Sequence, residues 1–310
     1  MKIIDLHCDA LFRIWLANGK LDYSSADQLE TNKERLKKGG VNVQCFAVYA
    51  PPQLPMEQKF QAVMQQVHYF YHEVLGKNPD MKQIREWGDF DRLQTGEIGV
   101  MLTMEGVDAI GSDLYKLSIL HQLGVRCVGL TWNYANWAAD GVLEPRNAGL
   151  SIFGQELVRF NNENKLLTDV SHLGERSFWD TLELARYPIA SHSNARSVFD
   201  HPRNLSDEQA KALFAKGGTV HVFFAPQFVK QEGSVTIDDL LKHIDHFCSI
   251  GGVKQLGIGS DFDGISIPGR IEGLGHAGMM DNLINALLQR YKEEEVRGFT
   301  AENFLRCRPK

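Results

Sequence analysis

The sequence lacks several features that would assign it to a common class of protein. Its 310 residues hold 33 Lys and Arg against 39 Asp and Glu, a net charge of -6, so it offers no basic surface for nucleic acid or anionic lipid. No apolar run is long enough to span a membrane, and Asp5 falls where a signal peptide needs its apolar stretch. The five cysteines are an odd number and are widely scattered, which argues against a disulfide framework. We therefore expect a cytoplasmic protein with no nucleic-acid or membrane partner.

The sequence also lacks low-complexity tracts and Pro/Gly/Ser linkers, which predicts a single domain over residues 1–310. Its main pattern is an alternation of element types. Short runs rich in β-branched and aromatic residues are typical of buried strands. Eight such runs occur, at residues 3–7, 41–49, 98–105, 125–131, 166–172, 189–193, 219–225 and 256–261.

Helix signals lie between most of these predicted strands. Pro55 favours a helix start that leads to Gly76, Ser206 and Gln209 form a capping box, and Thr236 precedes an amphipathic run. Strand and helix repeated eight times, with strands buried on both faces, predict an α/β protein with a (β/α)₈ TIM-type barrel. A doubly wound sheet is the alternative, but no Gly-rich phosphate loop follows the first predicted strand.

Polar side chains gather at the ends of the predicted strands, where the active site of such a barrel lies. These are His7 and Asp9 at the first strand, Glu105 at the third, His172 at the fifth, His192 at the sixth, and Asp261 and Asp263 at the eighth. A His-x-Asp pair on a strand places both side chains on one face. Imidazole and carboxylate ligands together suit zinc or a similar divalent ion.

Five candidate ligands exceed what one tetrahedral ion with an open position would use. We therefore predict two Zn²⁺ ions, held by His7, Asp9, Glu105, His172 and His192. Glu105 lies between the two sets in barrel order, so its carboxylate could bridge the ions.

Each of these residues has a simpler explanation when taken alone. A His-x-Asp pair occurs by chance, and any of the acids could cap the helix after its strand. Buried together without a cation, however, the carboxylates would repel one another and lose hydration at considerable cost. His68 and His72 lack the glutamate that a zinc-protease helix requires, and His221 lies inside a strand, so we assign these three to packed or solvated faces.

The motifs together resemble the renal (membrane) dipeptidase family of zinc metallopeptidases, within the amidohydrolase-type barrels. The resemblance extends nearly end to end. It rests on Asp-Leu-His7-Cys-Asp9, Glu105-Gly, Asp-Val-Ser-His172, Ser177-Phe-Trp-Asp, Ala-Ser-His192-Ser-Asn-Ala, Arg203-Asn, Gly-Ser-Asp261-Phe-Asp-Gly and Glu302-Asn-Phe-Leu-Arg.

The resemblance implies particular roles for these residues. His7 and Asp9 would hold one zinc, and His172 and His192 the other, with Glu105 as the bridge. It also implies a homodimer.

Three further positions are read from the same resemblance. Asp261 matches an aspartate beside the attacking water, and Arg203 matches a substrate-binding arginine. Trp132 departs from the family, because well-known members carry a histidine there that contacts the substrate and stabilises the tetrahedral intermediate. We expect Trp132 to shape the substrate pocket instead.

The sequence therefore predicts a binuclear zinc dipeptidase that cleaves dipeptides with a free C-terminal carboxylate, with Asp261 and Glu105 as catalytic residues. Two cations would lower the pKa of a shared water toward about 7, and Asp261 would carry its proton to the leaving amine. Tolerance of a D residue at the C-terminal position stays open. One alternative is another amidohydrolase-type barrel that acts on a cyclic amide, lactone or phosphoester, but its usual bridging lysine is missing from residues 125–131. A catalytically silent metal-binding or scaffolding barrel is the other, although the ligand set is complete.

Overall fold

A computed structural model describes residues 1–265 and 269–310 of the chain. Its described part contains nine parallel strands: β1 (Ile3–Asp5), β2 (Val41–Tyr49), β3 (Met81–Gln83), β4 (Ile98–Glu105), β5 (Val125–Gly129), β6 (Leu167–Asp169), β7 (Pro188–Ala190), β8 (Thr219–Val222) and β9 (Leu256–Ile258). Eight of them close in the order β2-β1-β9-β8-β7-β6-β5-β4, with β4 pairing back onto β2. The predicted (β/α)₈ barrel is confirmed.

The ninth strand, β3, was not predicted. It pairs with the first residues of β4, where Gly99 lies between Lys82 of β3 and Val43 of β2. Strand β3 therefore lies on the same side of β4 as β5 does, and it pairs with residues of β4 that precede those paired with β5. Three residues of mixed polarity carry no periodic signal, which explains why the sequence did not reveal it.

The helices of the described residues pack outside the strands. They are α1 (Ala10–Leu16), α2 (Lys33–Lys38), α3 (Met56–Tyr69), α4 (Leu114–Gln122), α5 (Ile152–Glu163), α6 (Glu175–Leu184), α7 (Asp207–Ala215), α8 (Ile237–Ser249), α9 (Met280–Arg290), α10 (Glu293–Arg297) and α11 (Asn303–Cys307). The predicted capping box is confirmed, since Ser206 accepts a hydrogen bond from the Gln209 backbone. Thr236, which was predicted to precede a helix, caps α8 in the same way. Across the described chain, every helix is too short or too polar to cross a bilayer.

Alternate residues of β4 face two different layers of the core. Val100, Leu102 and Met104 belong to the large cluster beneath the helices. Met101 belongs to the second cluster, inside the barrel. Glu105 follows Met101 at a spacing of four, so it lies on the same inward face and ends the strand at the barrel mouth.

The predicted strands at residues 41–49 and 98–105 have the observed bounds, but the other six extend too far. The backbone stays extended for a few residues after β1, since Cys8 forms a single parallel bridge with Phe262. Strand β6 ends at Asp169, because the Ser171 backbone N–H donates a hydrogen bond to the Asp169 side chain instead of to a neighbouring strand. His7 and Asp9 therefore both lie beyond the last residue of β1, with Asp9 directly before helix α1, and their side chains meet there at 3.4 Å.

Candidate metal centre and active site

The five predicted metal ligands meet at the carboxyl end of the barrel. His7 Nε2 lies 3.4 Å from Asp9 Oδ2. Glu105 Oε1 lies 3.9 Å from His7 Nε2, 2.9 Å from His172 Nε2 and 3.6 Å from His192 Nε2. One carboxylate oxygen thus lies close to histidines of both predicted ligand sets.

Asp261 belongs to the same cluster. Its Oδ1 lies 3.7 Å from His7 Nε2, and Asp261, Asp9 and His7 could together hold one ion. A second group that could hold an ion consists of His7, Glu105 and His192. The two groups share His7, and His172, which is in neither group, lies 2.9 Å from Glu105 Oε1.

Two site residues adopt a backbone conformation that side chains disfavour. His172 has φ of 67° and Asp261 has φ of 60°, in the left-handed region that costs about 1–3 kcal/mol for a residue with a β-carbon. Gly264 lies against the same site: a β-carbon there would stand 2.3 Å from Asp9 Oδ2 and 2.4 Å from Asp261 Oδ1. The backbone is therefore strained where the carboxylates converge, and position 264 has no room for a β-carbon beside them.

Two buried atoms of the site lack hydrogen-bond partners within the protein. His7 Nε2 and Asp9 Oδ1 are both buried and make no hydrogen bond. An unpaired buried polar atom costs about 1–3 kcal/mol, and two in one cluster indicate a missing partner. A divalent cation satisfies both atoms at once, so these residues fit a metal.

The charges of the site point to the same conclusion. Burial raises the pKa of Asp9, and the Glu105 carboxylate raises it further. Burial also raises the pKa of Glu105 and of Asp261. Burial alone would lower the pKa of His7, but the neighbouring Asp9 carboxylate raises it to about 10. Three carboxyls that resist ionisation together, and a histidine that attracts a proton, form a site short of positive charge.

Hydrogen bonds fix the orientation of the other two histidines. His172 Nδ1 donates to the amide oxygen of Asn133 at 2.7 Å. His192 Nδ1 donates to Ser191 Oγ at 2.7 Å, and that hydroxyl donates to Asp169 Oδ2 at 2.5 Å. With Nδ1 carrying the proton, each neutral ring turns the lone pair of Nε2 toward Glu105.

Arg203 is 4% exposed and lies beside the ligands rather than among them. Its Nη2 donates to the His192 carbonyl at 3.0 Å and its Nη1 to Ser193 Oγ at 3.4 Å, whereas its Nε is buried without a partner. The guanidinium lies over the Phe223 ring, 5.1 Å from its centroid. Burial lowers its pKa to about 10, so Arg203 stays cationic at neutral pH with a spare donor.

Trp132 lines a cavity of about 360 Å³ that opens onto Asp9, Glu105, His172 and Asp261. This cavity is large enough for a small peptide. The smaller cavity that includes Arg203 also reaches His172. Trp132 and Arg203 thus line different cavities, and His172 lines both.

The membrane dipeptidase family (peptidase family M19) has a sequence model that matches residues 1–310 of this chain. The chain belongs to that family. It is accordingly a metallo-dipeptidase, a hydrolase of peptide bonds.

Relatives of this dipeptidase support the family on both sequence and structure. A protein of Schizosaccharomyces pombe named as an uncharacterized dipeptidase is 30% identical over 98% of this chain and 79% of its own length. The crystal structure of dipeptidase AC, a family M19 metallopeptidase, superposes with a TM-score of 0.91 at 26% identity, covering 99% of this chain and 97% of that one. A Rhodobacter sphaeroides metallopeptidase bound to a phosphinate mimic of the dipeptide L-Ala-D-Ala matches with the same TM-score and identity, covering 99% and 98%.

Some residues around the dipeptidase site were not foreseen from the sequence. Tyr49 and Phe12 line the cavity beside Trp132. Tyr49 is the last residue of β2, so its strand-end position was an available signal, whereas Phe12 lies on α1 and gave none. Asn133 and Ser191 are also new, because their contacts with the histidines depend on the folded chain.

Proposed function

We propose that this metallo-dipeptidase holds two zinc ions and hydrolyses dipeptides that carry a free C-terminal carboxylate. The observation that supports the proposal is the position of Glu105 Oε1 within 3.9 Å of the Nε2 atoms of His7, His172 and His192. His7 and Asp9 would hold one ion and His172 and His192 the second, with Glu105 shared between them.

Two bound zinc ions would supply an activated water near neutral pH and a Lewis acid for the scissile carbonyl. Asp261 is placed to accept a proton from the attacking water, since its carboxylate stands at the edge of the cavity beside His7. The same group would return the proton to the leaving amine.

Arg203 would bind the C-terminal carboxylate of the substrate. Its cationic guanidinium has an unpartnered Nε beside His192, and a guanidinium binds a carboxylate through two parallel hydrogen bonds. A dipeptide places its carboxylate one residue from the scissile bond, whereas a longer peptide places a neutral amide there. This geometry supports a restriction to dipeptides.

Trp132 lines the cavity, and the resemblance puts it at the position of the family histidine, so it would shape the cavity in place of that residue. Since the Rhodobacter sphaeroides relative was crystallised with a mimic of L-Ala-D-Ala, we extend the proposal to substrates with a D residue at the C-terminal position.

A dipeptide panel with metal analysis tests this proposal. Protein freed of metal by a chelator is titrated with Zn²⁺, amino-acid release is followed from L-Ala-L-Ala, L-Ala-D-Ala and tri-alanine, and ring opening is followed from a lactone. Release from the dipeptides that saturates at two ions per chain is expected, with little from tri-alanine. Faster turnover of the lactone, or saturation at one ion, would overturn the proposal.

A further inference from the structure

We infer that the dipeptidase selects substrates whose N-terminal residue has an uncharged, apolar or aromatic side chain, which contacts a wall formed by Phe12, Tyr49 and Trp132. The inference rests on the proposed function and on the anchoring role of Arg203, and it adds the class of side chain that the enzyme accepts.

The order of strands around the barrel gives the direction of the bound dipeptide. Arg203 follows β7, and Tyr49 ends β2. Four steps separate β7 from β2 in either direction around the eight strands, so the two strands are diametrically opposite. A dipeptide spans about 7 Å when extended. With its carboxylate at Arg203 and its scissile bond over Glu105, its N-terminal residue therefore points toward β2.

Aromatic side chains form a continuous wall that runs from α1, past the end of β2, to the segment that follows β5. The rings of Phe12 and Tyr49 meet edge to face with centroids 5.3 Å apart, and the rings of Tyr49 and Trp132 lie 5.5 Å apart. Phe228 and Pro51 also line this cavity. Aromatic rings packed against one another offer a rigid apolar surface, which favours apolar and aromatic side chains over polar ones.

The charges of the cavity lining argue against a charged side chain. The acids that line it are Asp9, Glu105 and Asp261, all members of the metal cluster, and no Lys or Arg occurs among the described lining residues. An acidic or basic side chain held against the aromatic wall would thus lose hydration without gaining a counter-ion. Gln53, an exposed residue at the cavity, is polar but neutral.

The first test keeps the C-terminal residue constant. Zinc-loaded enzyme is assayed for kcat/KM on Phe-Ala, Leu-Ala, Glu-Ala and Lys-Ala. Phe-Ala and Leu-Ala should exceed both charged substrates by about 10-fold or more, the size of effect expected when one apolar side chain is buried. Cleavage of Glu-Ala or Lys-Ala as fast as Phe-Ala would overturn the inference.

A pair of phenylalanine variants tests the wall itself. In Phe12→Ala the ratio of kcat/KM for Phe-Ala over Ala-Ala should fall about 5-fold or more. Phe160→Ala is the matched control, because Phe160 is also half-buried on a helix but packs against His121, away from the cavity. An unchanged ratio in Phe12→Ala, or an equal fall in Phe160→Ala, would contradict the assignment.

A charge-swap pair at Gln53 decides the case even if Phe12→Ala fails to fold. Gln53→Lys should raise kcat/KM for Glu-Ala relative to Lys-Ala, and Gln53→Glu should do the reverse. Equal effects of the two variants on both substrates would overturn the inference. These failures differ from failure of the proposed function, in which no dipeptide is cleaved at all and both proposals fall.

Discussion

Replacing Arg203 separates recognition of the carboxylate from a purely structural role. Arg203 donates to the His192 carbonyl and to Ser193 Oγ, so Arg203→Ala removes two contacts of the loop as well as the donor to the substrate. A hydrogen bond to a charged group contributes about 1.5–3 kcal/mol, which corresponds to a loss of about 10- to 150-fold in kcat/KM. That loss should appear on a dipeptide but not on its C-terminal amide.

The assay therefore compares Ala-Ala with Ala-Ala-amide for the parent enzyme and each variant. The parent should strongly prefer the free acid, and Arg203→Ala should lose that preference. Arg203→Lys keeps the charge but not the paired donors, so it should recover part of the preference.

Arg196→Ala is the control for loop structure. Arg196 donates to the Asn204 and Pro202 carbonyls of the same loop but is not a candidate for contact with the carboxylate. It should change both substrates by the same factor. An equal loss on acid and amide in Arg203→Ala, or no loss on either, would refute the role given to Arg203.

Four further predictions follow from the site and the core. Glu105→Gln should lose bound zinc and turnover together, and two zinc ions per chain at a normal rate would eliminate Glu105 as the bridge. Asp261→Asn should lower kcat by about 10²- to 10⁴-fold while keeping the fold, so a kcat within about two-fold of the parent would show that Asp261 does not transfer the proton. Trp132→His should change kcat and substrate preference at unchanged melting temperature, and identical kinetics across the dipeptide panel would place Trp132 away from the substrate. Burial lowers the pKa of His243 to about 4, against 6.5 in the unfolded chain. The unfolded state therefore binds more protons between these pH values, and the free energy of unfolding should fall by up to about 3 kcal/mol as pH falls from 6.5 to 4. Denaturant titrations should show a smaller fall in His243→Gln, and an equal fall would contradict this reasoning.

The parts of the fold that could be predicted are those with long, uninterrupted patterns. Strands β2 and β4 have nine and eight residues, and their predicted bounds agree with the structure. The three-residue strands β6, β7 and β9 were predicted too long. Their apolar pattern continues into segments whose polar atoms bond to side chains, so periodicity does not mark where the ladder ends.

The site was predictable in its residue types but not in its geometry. The histidines and carboxylates were recognisable because they recur at strand ends. The left-handed backbone at His172 and Asp261 was not, since neither residue type requires it. The contact of Asn133 with His172 joins residues 39 positions apart, and only the closed barrel brings them together.

Zinc stoichiometry measured together with dipeptide turnover tests the central claim most directly. Metal-free protein is titrated with Zn²⁺, and bound metal and the rate of Ala-Ala hydrolysis are measured on the same samples. Two ions per chain, with full activity reached only at the second, is the expected result. Full activity in metal-free protein, or a two-zinc protein that cleaves no dipeptide, would contradict the account.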